Sequence, residues 1–514
     1  MWEDAVESIT VSDDGGKRTI TVPSWGDAAD GKLKDVTVGV LPASVSRHNC
    51  PAAPFAVSGV MAGVSAPGAE KTLGVVTILS DSHDAMPTAA AVARAFPTYT
   101  AKSSDDRATP EGRGSVTLKG AVHVAAALVS PGDDTLAAVP AEAWARASAA
   151  AAAIRLAARL VDTPPAEMDP DAMVREAEAV RDALNEKLAP DGTRIGSNIL
   201  RYDMLKAGGF GGLVAVGDAA ARDGREPALV HLTYTPRTET DDGKDETKRP
   251  RRVALVGKGI TFDTGGLSIK PRTGMCGMKS DMGGAAAMLA AFKALAELRP
   301  PHVEIHLLLC VAENAVGPAA FRPDDVVTAF SGRTIEVNNT DAEGRVVLAD
   351  GVAYASGPLQ CDDVIDMATL TGAQMVATGR HFAGILSDDE AMETAAVAAG
   401  KSSGDLTHPL PYAPEFFTRE FSSKIADMMN SVKDRSNAQA SCAGQLIANH
   451  LDAGWKAEGD EAAGEARSGA RRWLHVDMAG PSTDKASGRG TGYGVPLLVE
   501  LLTGNFFTGG PGGK

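Results

Sequence analysis

From about residue 190 to the C-terminus, short apolar runs of strand character alternate with helical ones. That alternation restricts the fold more than any other feature of the chain. Strand character falls on residues 229–234, 253–257, 303–311 and 363–370, and helical character on 284–298, 342–354 and 442–451. Such a pattern predicts an α/β domain with a mixed, mostly parallel sheet flanked by helices, because parallel neighbours need a crossover long enough to hold a helix. In an open sheet of this kind ligands bind outside the carboxyl ends of the strands, so the turns that follow strands are where chemistry is sought.

Upstream, residues 1 to about 135 mix strand-like runs at 36–41, 72–79 and 115–128 with Gly, Ser and Asp turns, and one helical run at 87–96. They read as a smaller α/β domain. An Ala-rich helix over 140–161 stops at Asp162-Thr163-Pro164-Pro165. Asp169-Pro170 then starts a second helix that runs to about 188, with Asp as N-cap and Pro in the first turn. The expected division is 1–165, an N-terminal α/β domain with its connecting helix, and 166–514, a larger C-terminal domain. Residues 237–252 and 456–472 read as solvated charged loops, and Gly509 to Lys514 as a frayed tail.

The chain of 514 residues is 44% hydrophobic and 23% charged, enough to bury a large core. Lys plus Arg is 50 and Asp plus Glu is 66, so the formal charge is 50 − 66 = −16. That acidity argues against a nucleic-acid binder, which needs a basic footprint, and Lys248-Arg249-Pro250-Arg251-Arg252 reads as a solvated face. The five cysteines are widely spaced with no Cys-x-x-Cys pair, which fits reduced thiols. Met1-Trp2-Glu3-Asp4 opens no apolar leader, and no apolar run approaches the ~18 residues of a membrane span. The expected location is the cytoplasm, away from membranes.

Two stretches carry chemistry. The first is Val256 to Gly266, where a strand ends in a Gly-rich turn with Lys258 and Asp263 projecting into the crevice; Lys270 and Asp281-Met282-Gly283-Gly284 follow. Asp281 alone could be a helix N-cap. The second is Asn339-Thr340-Asp341-Ala342-Glu343-Gly344-Arg345, whose charges sit between Val337 and Val346-Val347-Leu348. Carboxylates gathered beside apolar core repel one another and are costly to bury unpaired. Asp263, Asp281, Asp341 and Glu343 are enough to bind and bridge two divalent cations, and hard oxygen ligands suit Mn²⁺, Mg²⁺ or Zn²⁺. There is no His-Glu-x-x-His, and His302-Val303-Glu304-Ile305-His306 reads as ordinary strand. Two metals with Lys270 and Arg345 nearby predict metal-assisted hydrolysis without choosing amide over phosphate ester.

These stretches, with Asn314-Ala315-Val316-Gly317-Pro318 and Ala368-Thr369-Leu370-Thr371-Gly372-Ala373, resemble the leucine aminopeptidase family over roughly residues 165 to 505. Several motifs in one order are far more specific than a lone Gly-rich loop. The resemblance implies hexameric, two-metal exopeptidases that remove N-terminal residues from peptides, with 166–514 as the catalytic domain. It implies that Asp263 and Glu343 bridge two metals, Mn²⁺ or Zn²⁺ with Co²⁺ or Mg²⁺ as substitutes. Lys258 and Asp281 would complete the tighter site and Asp341 the exchangeable one. Lys270 would stabilise the oxyanion. Arg345 would hold a bicarbonate ion as general base. The free α-amine of the substrate would bind a metal. Met278, Thr369, Leu370 and Gly372 would line a first-residue pocket favouring Leu or Met.

One departure stands in Arg322-Pro323-Asp324-Asp325, with Asp324 where the family pattern has Gly; it is expected to affect only a turn. Residues 422–434 and 473–494 resemble an aminopeptidase-like branch of the family. The competing readings are a two-metal phosphoesterase and a non-catalytic or nucleic-acid-binding hexamer. Lys258 among the carboxylates argues against the first, and the charge of −16 against the second.

Overall fold

The computed structural model describes residues 16–23, 33–64, 72–101, 114–115, 121–130, 133–237, 250–455 and 471–508. Most of the two charged stretches (238–249 and 456–470) and the tail 509–514 lie outside the described residues. The chain forms two compact units, Met1–Ala151 with Lys401–Gly404, and Ala152–Gly400 with Asp405–Lys514.

In the smaller unit Thr72–Leu79 pairs in parallel with Ala121–Ser130, which pairs antiparallel with Asp133–Ala138. Val57 and Met61 of one helix, Ala91 and Val92 of another, and Phe96 pack against Leu73, Val75, Val122 and Val124. The alternate positions on each strand supply that apolar face, as the period of two requires.

The larger unit is built on eight strands: β1 (Ile195–Arg201), β2 (Ala228–Tyr234), β3 (Arg251–Asp263), β4 (Val303–Asn314), β5 (Asp363–Ala368), β6 (Ala383–Ser387), β7 (Thr407–Pro409) and β8 (Arg472–Asp477). They lie in the order β7-β6-β8-β5-β3-β4-β2-β1. The run β8-β5-β3-β4 is parallel, while β1, β2 and β6 join antiparallel. The expected α/β class with a mixed sheet is borne out. Helix α1 (Pro170–Leu188) starts as anticipated: Asp169 accepts a hydrogen bond from Ala172 N at 2.7 Å and Pro170 occupies the first turn. Among the further helices of the unit are α2 (Gly211–Ala221), α3 (Gly283–Leu298), α4 (Gly344–Ser356), α5 (Gln439–Ala448) and α6 (Val495–Thr503). In α3 only Lys293, Glu297 and Leu298 escape burial, so its Ala-rich sequence lets it seat closely on the sheet.

The basic cluster at 248–252 is not wholly a solvated face. Arg251 opens β3 and pairs with Asp363 at 2.8 Å, and Arg252 meets Glu304 at 3.3 Å. The 302–306 stretch lies in or beside β4 as expected. His306 Nδ1 sits 3.0 Å from His231 Nε2, and His306 Nε2 lies 2.8 Å from Glu304. Burial, then His306, pushes His231 down to about 4. The fold therefore favours neutral His231, and this contribution is whole above the unfolded value near 6.5 and is lost as pH falls toward 4. His231→Gln should make the acid loss of stability between pH 6.5 and 4 shallower by about 2–3 kcal/mol. Urea midpoints at pH 7 and 4.5 measure this; an unchanged difference would contradict it.

Asp324 has φ +76°, the left-handed region that favours glycine. It stands in a turn closed by Asp325 N→Arg322 O at 3.1 Å and Asp324 N→Val337 O at 2.7 Å. A left-handed L-residue costs roughly 1–2 kcal/mol, less for Asp, and glycine's unfolded-state entropy offsets part of the relief. Asp324→Gly should therefore stabilise by about 0.5 kcal/mol, read as a higher denaturant midpoint at constant slope. A lower midpoint would contradict this.

Among the described residues, no helix is long and apolar enough to cross a membrane. Of the five cysteines, Cys50, Cys310, Cys361 and Cys442 are buried and Cys276 is exposed.

Candidate active site

The carboxyl ends of β3, β4 and β5 meet at one buried cluster, where Asn314 at the end of β4 bonds Asp263 at the end of β3 and Thr369, just after β5, bonds Asp281. Lys258 and Asp263 both lie on β3, five residues apart, and a regular strand would send them to opposite faces. The β3–β4 register shifts between Ile260 and Asp263, a bulge that changes the phase so both side chains meet the same cluster. The loop that follows is closed by Thr264 N→Asn314 O at 3.1 Å and Lys270 N→Thr264 O at 2.9 Å, which returns Lys270 to Asp263. Asp281 sits in a 3-10 turn, Met278–Met282. It does not cap α3: the N-cap is Met282, with no side-chain cap bond. Asp341 and Glu343 lie in the turn that leads into α4.

Two lysines hold the carboxylates. Lys258 Nζ lies 2.8 Å from Asp281 Oδ2 and 2.9 Å from Glu343 Oε1, and donates to Thr369 O at 3.1 Å. A Cβ on Gly344 would come within 2.7 Å of Lys258 Nζ, so only glycine at the start of α4 leaves room for the amine. Lys270 Nζ lies 2.7 Å from Asp263 Oδ2 and 2.5 Å from Asp341 Oδ1. One oxygen each of Asp263, Asp341 and Glu343 lie within 4.8 Å of one another. Lys258, Asp263 and Glu343 are each 2% exposed, and Asp281 6%.

The electrostatics follow from burial and crowding. Burial, then Glu343 and Asp281, pushes Asp263 up to about 8. Burial likewise pushes Asp281 up to about 6 despite Lys258. Glu343 is held below its ordinary value, because Lys258 and Lys270 outweigh its burial. Burial would lower both lysines, but the carboxylates around them raise each above the ordinary range. Four carboxylates against two ammonium groups leave a formal −2 in a buried place. Glu343 Oε2 is buried with no hydrogen-bond partner. An orphaned hard oxygen in an over-negative, oxygen-rich cluster fits a divalent cation.

Arg345 is the second residue of α4, 8% exposed, with Nε unpartnered and its guanidinium pushed below the ordinary value by burial. Thr369 Oγ1 donates to Asp281 O and Oδ1, each 2.9 Å away, so it orients this carboxylate. Met278 is half-buried in the 3-10 turn. Leu370 lies on the loop after β5 and Gly372 opens the short helix Gly372–Ala377; the loop is fastened by Asp477, to which Leu370 N and Thr371 Oγ1 donate at 3.1 and 2.6 Å. The structure thus gathers Lys258, Asp263, Lys270, Asp281, Asp341 and Glu343, with Thr369 bonded to the cluster; Met278, Leu370 and Gly372 lie within three residues of Asp281 or Thr369 along the chain.

Sequence reasoning gave no role to Asn430, Asn314 or Asp477. Asn430 is fully buried; its Oδ1 accepts from Asn338 N at 2.9 Å and its Nδ2 donates to Asn339 O at 2.6 Å, which sets the turn carrying Asp341. Asn314 entered the sequence reading only as the first residue of the family-like stretch Asn314 to Pro318, beyond the strand expected over 303–311.

The catalytic domain of the cytosol aminopeptidase family matches residues 155–499, and an N-terminal domain of M17 aminopeptidases matches 9–105. The chain is 41% identical over 480 residues to "Probable aminopeptidase NPEPL1" of Homo sapiens, covering 93% of this chain and 82% of that protein. It is similar to leucyl aminopeptidase from Trypanosoma brucei in complex with bestatin, with a TM-score of 0.79 and 36% identity over 97% of this chain and 86% of that one. It is also similar to Caenorhabditis elegans leucine aminopeptidase, with a TM-score of 0.74 and 35% identity over 90% of this chain and 82% of that one. With a family domain spanning most of its length and a relative this similar, the chain belongs to the cytosol aminopeptidase family.

Proposed function

We propose that this aminopeptidase removes N-terminal residues, Leu or Met preferred, from peptides with a free amine, using two divalent metals per subunit. The observation that carries the reading is the convergence of four carboxylates and two lysines in one buried cluster, with Glu343 Oε2 unpartnered. Asp263 and Glu343 are the ligands shared by both ions, Lys258 and Asp281 complete one site, and Asp341 completes the other. Mn²⁺ or Zn²⁺ suits this set, with Co²⁺ or Mg²⁺ as substitutes. When bound, two such ions would lower the pKa of a bound water toward neutral and polarise the scissile carbonyl. A ligating Lys258 must be neutral. The carboxylates around it favour its charged form, and a metal's own charge reverses that balance.

Lys270 is the cation placed to meet the oxyanion of the tetrahedral adduct. Arg345 is the buried cation for a bicarbonate ion serving as general base. Thr369 keeps Asp281 oriented, and with Met278, Leu370 and Gly372 it borders the first-residue pocket. Residues 1–165 form the N-terminal domain with its connecting helix, 166–514 the catalytic domain, and the assembly is a cytoplasmic homohexamer. Lys258 among the carboxylates favours amide hydrolysis over phosphoester hydrolysis.

Leucyl-p-nitroanilide and its N-acetylated form, offered to Mn²⁺-loaded protein, test the exopeptidase reading. Hydrolysis of the free amine alone is expected. Equal rates on both would overturn recognition of the α-amine.

A further inference from the structure

Asn314 ends β4 and is 0% exposed. Its Nδ2 donates to Asp263 Oδ1 at 2.8 Å and to Thr340 O at 3.0 Å. Both neighbours are acceptors, so only the amide NH₂ can face them, which settles its orientation. Asp263 Oδ1 also accepts from Gly265 N at 2.8 Å. Two donors therefore occupy one oxygen of this carboxylate. The other, Oδ2, meets Lys270 Nζ at 2.7 Å. Asn314 Oδ1 is buried without a hydrogen-bond partner. Gly266, at φ +60°, leaves it room, since a Cβ there would come within 3.0 Å of Asn314 Oδ1.

We infer that Asn314 is a positioning residue: by holding Asp263 Oδ1 it dedicates Oδ2 to the metal ions, and through Thr340 O it ties the turn bearing Asp341 and Glu343 to the end of β3. The inference rests on the two-metal reading above. A ligand carboxylate free to rotate presents either oxygen or both, so its ions are held less tightly. Partners of this outer kind alter metal affinity by roughly 10–100-fold.

Chelator-stripped wild type, Asn314→Leu and Asn314→Ala are titrated with Mn²⁺ by calorimetry, with thermal unfolding of each stripped protein alongside. Both variants should fold and bind Mn²⁺ roughly 10–100-fold more weakly, and excess Mn²⁺ should restore most of their kcat. Folded variants that bind within threefold of wild type would overturn the inference, as would a loss of kcat that excess Mn²⁺ does not restore. Wild type that takes up no Mn²⁺ would overturn the two-metal reading itself. If neither variant folds, Mn²⁺-loaded crystals of the wild type decide. Coordination by Asp263 through Oδ2, with Oδ1 still on Asn314, supports the inference; coordination through Oδ1 overturns it.

Discussion

Glu343→Ala should lower kcat by at least about 10³-fold while the protein still folds, because losing transition-state electrostatics costs this much or more. Glu343 is the one carboxylate of the cluster held below its ordinary value, and its Oε1 and Oε2 are used differently. Oε1 meets Lys258 at 2.9 Å, and Oε2 has no partner within the protein. Alanine removes a proposed shared ligand, so metal uptake should fall along with turnover. Folding survives because Lys258 keeps Asp281 at 2.8 Å and Thr369 O at 3.1 Å. A folded variant with full activity would remove Glu343 from the metal site.

Lys270→Ala should lower kcat by roughly 10²–10³-fold with KM changed only a few-fold, as when a donor acting on a developing oxyanion is lost. The variant separates two roles for this lysine. If Lys270 only neutralised Asp263 and Asp341, at 2.7 and 2.5 Å, its removal would leave the site more negative and Mn²⁺ would bind more tightly with little loss of kcat. If it also stabilises the tetrahedral adduct, kcat falls even with the metals saturated. An unchanged kcat at saturating Mn²⁺ would assign Lys270 to charge balance alone.

How far the sequence led differs between the fold and the site. The strands were legible because Val303–Asn314 holds the unbroken apolar run 307–312, and Asp363–Ala368 has apolar residues at 364, 365, 367 and 368, as strands buried on both faces tend to. Asp169-Pro170 announced its helix through a local capping bond. The edge strand Ile195–Arg201 and the inner strand Ala383–Ser387 were missed. The first is polar and largely exposed, and the second is too short to carry a pattern. At the site, charge type and motif order pointed to the residues that meet. The bulge that lets Lys258 and Asp263 share a face is a register event between β3 and β4, and no single strand records it. Asp281 could as well have been a helix cap, and only the approach of Lys258 from another strand decides its partner. Asn314, Asn430 and Asp477 act on backbone and carboxylate atoms far away in the chain, so composition around them carries no sign of their partners.

The most direct test of the account is a metal titration of chelator-stripped protein, with bound Mn²⁺ counted per chain while leucyl-p-nitroanilide hydrolysis is followed. The account predicts no turnover in the stripped protein, uptake of two ions per chain, and activity that appears as the second site fills. Full activity in stripped protein, or saturation at no bound ions, would contradict it.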